Sequence, residues 1–398
     1  MRPSDPVRIG DHVIAGIRCF VVAELGNNHN GDVVLAKKLI RLAASAGADA
    51  VKLQKRDVDS LLAPVARDAP YTGGNAFGKT YGAHRRRLEL PMSDWKTLQA
   101  LATDLGLVFF GSAWDKRSVD FLEALGVPCH KIPSACLSDH SLLDYVAQKG
   151  KPLILSTGMH DMRELGEAVR VVRRHHTPFV LLHCCSAYPA PLKELNLDAM
   201  MTLQTLFPNV PVGYSGHETQ LAPTLAAVAM GAEVIERHLT LDKRMRGSDH
   251  AASLSGGEFR ALVDAVREIE ASRGDGIKRC MPSEFAAKAK LAKSVVVTCD
   301  LVAGQTVLPE HVAVREPGTG LPSGQMANAV GAVVRRPVVA GTVVEPSLLK
   351  RRPLWWRAVQ APALVRGHHR LLARLNPRGI AALEALRLTW RSLRPRRP

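Results

Sequence analysis

Two histidines close two short apolar runs, 211-PVGYSGHET-219 and 233-EVIERHLT-240. The first run ends on Ser215, His217 and Glu218, the second on Glu236, Arg237 and His238. Neutral imidazoles delivered by neighbouring strands can converge on one divalent metal ion and leave its other positions to water or substrate oxygens. The competing use of each is a hydrogen bond to a loop backbone. Lys52 and Lys131 lie inside apolar runs, where an ammonium needs a partner: a carboxylate of the same core, or a bound phosphate or carboxylate. Ser134, Ser156 and Ser215 are neutral donors suited to the same anion. Glu24 ends another apolar run and is an acid, a base or a partner for a sugar hydroxyl, unless it is spent on Lys52. Gln54 closes the run that holds Lys52. Tyr188 in 183-HCCSAYP-189 and Asp249 in 247-GSDHAASL-254 sit in the loops that follow such runs. Packing on Pro189 and loop capping are their ordinary uses. The vicinal Cys184 and Cys185 read as small buried residues.

The elements that must carry these groups recur along the first 240 residues. Eight β-branched runs stand in order: 19-CFVVAEL-25, 49-DAVKLQ-54, 107-LVFFGS-112, 129-CHKIP-133, 152-PLILST-157, 179-FVLLHC-184, 211-PVGYS-215 and 233-EVIERH-238. Helical spacing fills the intervals. Leu35, Leu39 and Leu42 share a face after an Asn30-Gly31 turn with Asp32 as N-cap, and 164–174, 195–206 and 219–230 behave alike. The stretch from the second strand to Ser93, rich in Gly and aromatics, reads as a loop over a site. Strands that are nearly all apolar and alternate with helices mean a parallel sheet covered on its outer face. Eight of them close into a (β/α)8 TIM barrel, whose reactive groups sit at strand C-termini. The competitor is an open doubly wound sheet, but no G-x-G-x-x-G follows the first strand.

A different texture follows a helix at 256–271. The runs 294-SVVVTCDLVAGQTVLPEHVAVREPGTGLP-322 and 329-AVGAVVRRPVVAGTVVEPSLL-349 are short and β-rich, with a weak repeat, V-A-G-Q-T-V at 302–307 and V-A-G-T-V at 339–343. The expected organisation is a barrel at 1–277, a linker at 278–293, a small β-rich domain at 294–350 and a tail at 351–398.

Charge locates in that tail. Residues 351–398 hold twelve arginines against one acid, Glu384, which is +11 of the chain's +16. The body therefore carries +5, and no nucleic-acid partner is expected. The tail has helical apolar spacing with arginines opposite, broken at Pro377, and reads as a basic amphipathic segment for peripheral membrane contact or as a solvated extension. The seven cysteines are scattered with no C-x-x-C pair, and no signal-like start or long apolar run occurs, so a soluble cytoplasmic protein is expected.

The runs 22-VAELGNNHNGD-32, 47-GADAVKLQK-55, 155-LSTGM-159, 181-LLHCCSAYP-189, 213-GYSGHE-218 and 234-VIERHLTLDK-243 resemble, in order, those of the sialic acid synthase family, N-acetylneuraminate synthase and its relatives. The resemblance runs from about residue 18 to 349 and includes the C-terminal antifreeze-like (SAF) domain. The variants 78-GKTYG-82, 186-SAYP-189 and 247-GSDH-250 are similar to those of the animal-type branch. The resemblance implies condensation of phosphoenolpyruvate with N-acetylmannosamine or its 6-phosphate, giving a nonulosonic acid and phosphate. A legionaminic- or pseudaminic-type synthase acting on a diacetamido sugar, and a catalytically silent sugar sensor, are the alternatives. It further implies that His217 and His238 hold Mn2+, or Mg2+ or Co2+. Lys52, Lys131, Ser134, Ser156 and Ser215 would contact phosphoenolpyruvate, and Glu24, Gln54, Asn75, Tyr188 and Asp249 the sugar. Glu24, Asp249 and His238 are then the catalytic groups. In the family's homodimer the small domain of one chain caps the barrel of the other, through an arginine directly before Pro-Gly. Here that position is Glu316 and the arginine is Arg315, one residue off. Cys136 stands where the family usually carries an acid. Ala113 and Ser186 are smaller departures.

Overall fold

The computed structural model describes residues 5–16 and 18–350. The chain divides into two compact units, the first ending at Gly276 and the second beginning at Ile277. The tail, with its expected amphipathic segment, lies outside the described residues.

In the first unit eight parallel strands close into a barrel. They are β1 Phe20–Gly26, β2 Ala50–Lys55, β3 Val108–Ala113, β4 His130–Ile132, β5 Leu153–Ser156, β6 Phe179–Cys184, β7 Val212–Gly216 and β8 Val234–His238. β8 pairs with β1 and closes the ring. Every residue of β1, β5, β7 and β8 is buried, as strands covered on both faces must be. A short hairpin, Val7–Ile9 with His12–Ile14, precedes the barrel.

Helix Val33–Ser45 starts where its cap predicts, with Asp32 accepting from the Val34 and Leu35 N–H groups. Its buried face is Ala36, Leu39, Ile40 and Ala43, so Leu35 and Leu42 are half-buried edges rather than the centre. The segment expected to be a loop after β2 contains three short helices, Val58–Leu61, Pro64–Arg67 and Tyr81–Leu88. Asp57 and Thr80 supply N-caps that an apolar-periodicity reading passes over, because Tyr81–Leu88 carries three consecutive arginines. Among the described residues no helix is long and apolar enough to cross a membrane.

Register carries the fold to function. Adjacent strands place Glu24 beside Lys52, Gln54 beside Ser112, Ser112 beside Lys131, Ser215 beside Glu236, and His238 beside Glu24. Side chains alternate along a strand, so Lys52 with Gln54, and Glu236 with His238, face the same way while Arg237 faces the other.

The second unit has its own core of Val295, Val297, Leu301, Val307, Val312 and neighbours. Strand Ser294–Val297 pairs antiparallel with Val312–Arg315, and Val333–Val334 with Leu349–Lys350. The sequence repeat is a structural one. Leu301 and Val338 exchange both backbone hydrogen bonds at 2.9 Å, and Gly304 and Gly341 each turn the chain at φ near +85° (85 and 87). The segment 278–293 contains a short helix, Phe285–Leu291.

Candidate functional site

At the C-terminal end of the barrel lies a cavity of about 140 Å³. Ten of the residues singled out from sequence line it: Glu24, Lys52, Gln54, Lys131, Ser134, Ser156, Tyr188, Ser215, His217 and His238. They come from seven of the eight strands or the loops after them, all but β3, although they are far apart in the chain.

The cavity is built around two buried lysines. Lys52 Nζ lies 2.7 Å from Glu24 Oε2 and donates to Ser112 Oγ at 2.7 Å. Glu236 Oε1 is 3.6 Å from both Lys52 Nζ and Lys131 Nζ. Burial raises the Glu236 carboxyl, but Lys131, Lys52 and the two histidines outweigh it and hold it down to about 2. Burial pulls the Lys52 ammonium down, and Glu236 and Glu24 reverse this and keep it above its ordinary value. Lys131 is different. Burial lowers it, Glu236 offsets only part, and its Nζ makes no hydrogen bond within the protein. Ser156 Oγ and Glu236 Oε2 are likewise buried without partners. A buried ammonium and hydroxyl left without acceptors are costly, and a bound anion would satisfy both. Gly158 N–H donates to Ser134 Oγ at 3.1 Å, and a Cβ on Gly158 would sit 2.3 Å from Ser186 Oγ, so only glycine leaves this wall open.

The histidines face each other, ring centroids 5.4 Å apart. His217 Nδ1 donates to the Cys185 carbonyl at 2.7 Å, which leaves Nε2 with its lone pair; the Tyr188 hydroxyl lies 2.8 Å from it. His238 Nδ1 is buried without a hydrogen-bond partner, 3.9 Å from Asp249 Oδ2, and burial lowers its affinity for a proton. The lone pair of His217 Nε2 and the orphaned His238 Nδ1 fit a cation whose other ligands are not protein atoms. Among the described residues no group of three or more His, Cys, Asp and Glu is arranged to hold a metal by itself.

Asp249 stands behind the histidines rather than in the cavity wall. A Cβ on Gly26, at φ +49°, would lie 3.1 Å from Glu24 Oε1, 3.3 Å from Asp249 Oδ2 and 3.3 Å from Gln54 Nε2, so these three groups converge on one spot. Asn75 is exposed and accepts from Gly247 N–H at 3.2 Å, which ties its loop to the one carrying Asp249. Arg315 is in the second unit, exposed at the end of strand Val312–Arg315, while Glu316 is paired with Lys293.

Sequence reasoning underweighted Glu236, which reads as one more polar strand end until the closed barrel sets it between both lysines. Cys184, read from sequence as a small buried residue, is buried but also part of the site. That thiol lines the cavity 3.8 Å from His217 Nδ1; burial raises it, and the facing imidazole brings it down to about 7. Cys136 lies outside this cavity, its buried thiol pushed up to about 12.

A closed barrel with buried lysines, a carboxylate and two histidines at its strand ends, joined to a small β domain, defines the class of barrel synthases that handle anionic substrates. The NeuB family model matches residues 39–278 and the SAF domain model 292–350, and the chain belongs to the NeuB family, the sialic acid synthases. It is 41% identical over 318 residues to the N-acetylneuraminate-9-phosphate synthase of Mus musculus, covering 79% of this chain and 88% of that one. It is 40% identical over 337 residues to the N,N'-diacetyllegionaminic acid synthase of Legionella pneumophila, covering 83% and 94%. The crystal structure of an N-acetylneuraminic acid synthetase from Leptospira borgpetersenii, solved with citrate, superposes with a TM-score of 0.64 at 31% identity, covering 72% of this chain and 95% of that one.

Proposed function

We propose that this chain condenses phosphoenolpyruvate with an N-acetylmannosamine-type sugar, its 6-phosphate included, to give a nonulosonic acid and phosphate. The observation that carries this reading is Lys131: a buried ammonium lining the cavity with only Glu236, 3.6 Å away, as partner, in the same wall set as the unpartnered Ser156 hydroxyl and Lys52. That set suits the phosphate and carboxylate of phosphoenolpyruvate.

The enol carbon attacks the aldehyde carbon, positive charge develops at the carbon bearing the phosphate, water adds there, and carbon–oxygen cleavage releases phosphate and leaves the ketone. Lys52, Lys131, Ser134, Ser156 and Ser215 hold the phosphoenolpyruvate. The Glu24 and Asp249 carboxyl groups stabilise the developing cation. Gln54, Tyr188 and, from its loop, Asn75 orient the sugar hydroxyls. His217 Nε2 and His238 would hold a divalent cation, Mn2+ first with Mg2+ or Co2+ as candidates, which when bound supplies Lewis-acid polarisation of the aldehyde. The same reading makes the protein a cytoplasmic homodimer, the small domain with Arg315 covering the partner's barrel. Family membership supports the dimer and the free cysteines support the compartment.

Phosphate release from phosphoenolpyruvate with Mn2+, across N-acetylmannosamine, its 6-phosphate and 2,4-diacetamido sugars, tests the function. Release with one sugar, abolished by chelation and by His238→Ala, is expected. Silence with every sugar from folded protein that binds Mn2+ moves the assignment to a sugar sensor.

A further inference from the structure

His217 has one nitrogen to give. A neutral imidazole carries one N–H and one lone pair. Nδ1 donates to the Cys185 carbonyl at 2.7 Å, so a cation held by His217 must be taken by Nε2. The Tyr188 hydroxyl engages that lone pair, 2.8 Å away. The Tyr188 ring also covers both imidazoles, tilted over His217 with centroids 4.0 Å apart and edge-on to His238 at 5.6 Å.

The backbone builds this placement. Tyr188 lies in the loop after β6, and that loop is tied to His217 on both sides of the tyrosine. The Cys185 carbonyl accepts from the His217 ring, and Ala190 N–H donates to the His217 carbonyl at 3.1 Å. The loop therefore keeps its place over His217, and rotation of the tyrosine side chain is the motion that frees Nε2. Such a rotation has room, because Tyr188 is 47% exposed while His217 and His238 are 4% and 3% exposed. One lone pair accepts one hydrogen or one cation. Holding the hydroxyl and coordinating a metal are exclusive states of His217.

We infer that the Tyr188 hydroxyl is an internal competitor for the divalent cation, and that an acceptor-sugar hydroxyl draws the phenol off His217, so that sugar and metal bind cooperatively. This rests on the condensing reading, in which Tyr188 takes a sugar hydroxyl and the two histidines take the cation. A metal ion arriving alone meets Nε2 open in only a fraction of the chains, and its apparent affinity falls by that fraction. With the sugar bound, the phenol is engaged elsewhere and the penalty is gone. By linkage the metal tightens the sugar by the same factor.

The test is Mn2+ binding, read by electron paramagnetic resonance of the free ion, in the full chain and in Tyr188→Phe. Each is titrated alone, with N-acetylmannosamine and with its 6-phosphate, and the site counted is the one that His238→Ala removes. Phenylalanine keeps a ring over both imidazoles and deletes only the hydroxyl. Without sugar, Tyr188→Phe should bind Mn2+ about 3- to 10-fold more tightly than wild type, the net worth of one neutral hydrogen bond. One of the sugars should tighten Mn2+ in wild type, and by about 3- to 10-fold less in the variant. In wild type, Mg2+ should perturb the tyrosine ultraviolet spectrum, and Tyr188→Phe should lose that signal. Unchanged Mn2+ affinity in Tyr188→Phe, or a wild-type spectrum that Mg2+ leaves unaltered, overturns the competition and leaves the metal site standing. Weaker Mn2+ binding by Tyr188→Phe overturns it as well, by making Tyr188 a ligand. Equal tightening by sugar in both proteins overturns the cooperativity. Absence of any Mn2+ site that depends on His238 overturns the two-histidine reading itself, and the competition with it.

Discussion

Two buried charge clusters sit on opposite faces of the same wall, β7 and β8, and they are finished differently. On the outer face Arg237 and Glu218 are both 0% exposed. Glu218 Oε1 accepts from Arg237 Nη1 at 3.0 Å and from Thr224 at 2.8 Å, and its Oε2 accepts from the Tyr214 hydroxyl at 2.8 Å. Arg237 also donates to the Glu218 and Gln220 carbonyls, and only its Nε lacks a partner. On the inner face Ser156 Oγ, Glu236 Oε2 and His238 Nδ1 are buried without hydrogen bonds, and Lys131 Nζ has only Glu236 Oε1, 3.6 Å away. A network closed within the protein is structure; one that stops short is a place for a ligand. The outer pair also clamps the strand ends that deliver His217 and His238, one residue away on each side.

The comparison breaks most visibly on the outer face. Arg237→Ala leaves Glu218 charged and buried, and should cost about 3–5 kcal/mol in denaturant unfolding, while replacing both partners by apolar residues, Glu218→Leu with Arg237→Met, should recover most of it. A single-variant loss under about 1 kcal/mol would make the pair ornamental. On the inner face the sign of the trade reverses. Lys131→Met removes an under-satisfied charge while Lys52 still faces Glu236, so stability should hold within about 1 kcal/mol, while phosphate release falls by about 100-fold or more. Comparable losses in both would erase the distinction. The smallest effect is in the acid limb. Glu236 titrates in the folded protein at about 2 against an ordinary 4.5, so its ionised form stabilises the fold above about 4.5, and that contribution disappears as pH falls toward 2. Glu236→Gln should flatten this part of the stability–pH curve, and an unaltered acid limb would show that the lysines do not depend on it.

Much of this was legible in the residues. The alternation of apolar runs and helical spacing marked all eight barrel strands, because a strand buried on both faces is apolar along its length and a polar residue there stands out. Glu24, Lys52, Lys131, His217 and His238 stood out in this way. The helices after β2 were hidden, because surface arginines carry no apolar period.

Sequence by itself therefore determined the barrel, the family and the kinds of side chain at the strand ends, since burial and period are local properties of a run. Tertiary structure decided which of those side chains meet. Closure of the barrel set Glu236 across its interior from two lysines 79 positions apart in the chain, and pairing of β8 with β1 brought His238 beside Glu24. Electrostatic interaction and hydrogen bonding depend on separations of a few ångströms, and only the closed ring fixes those.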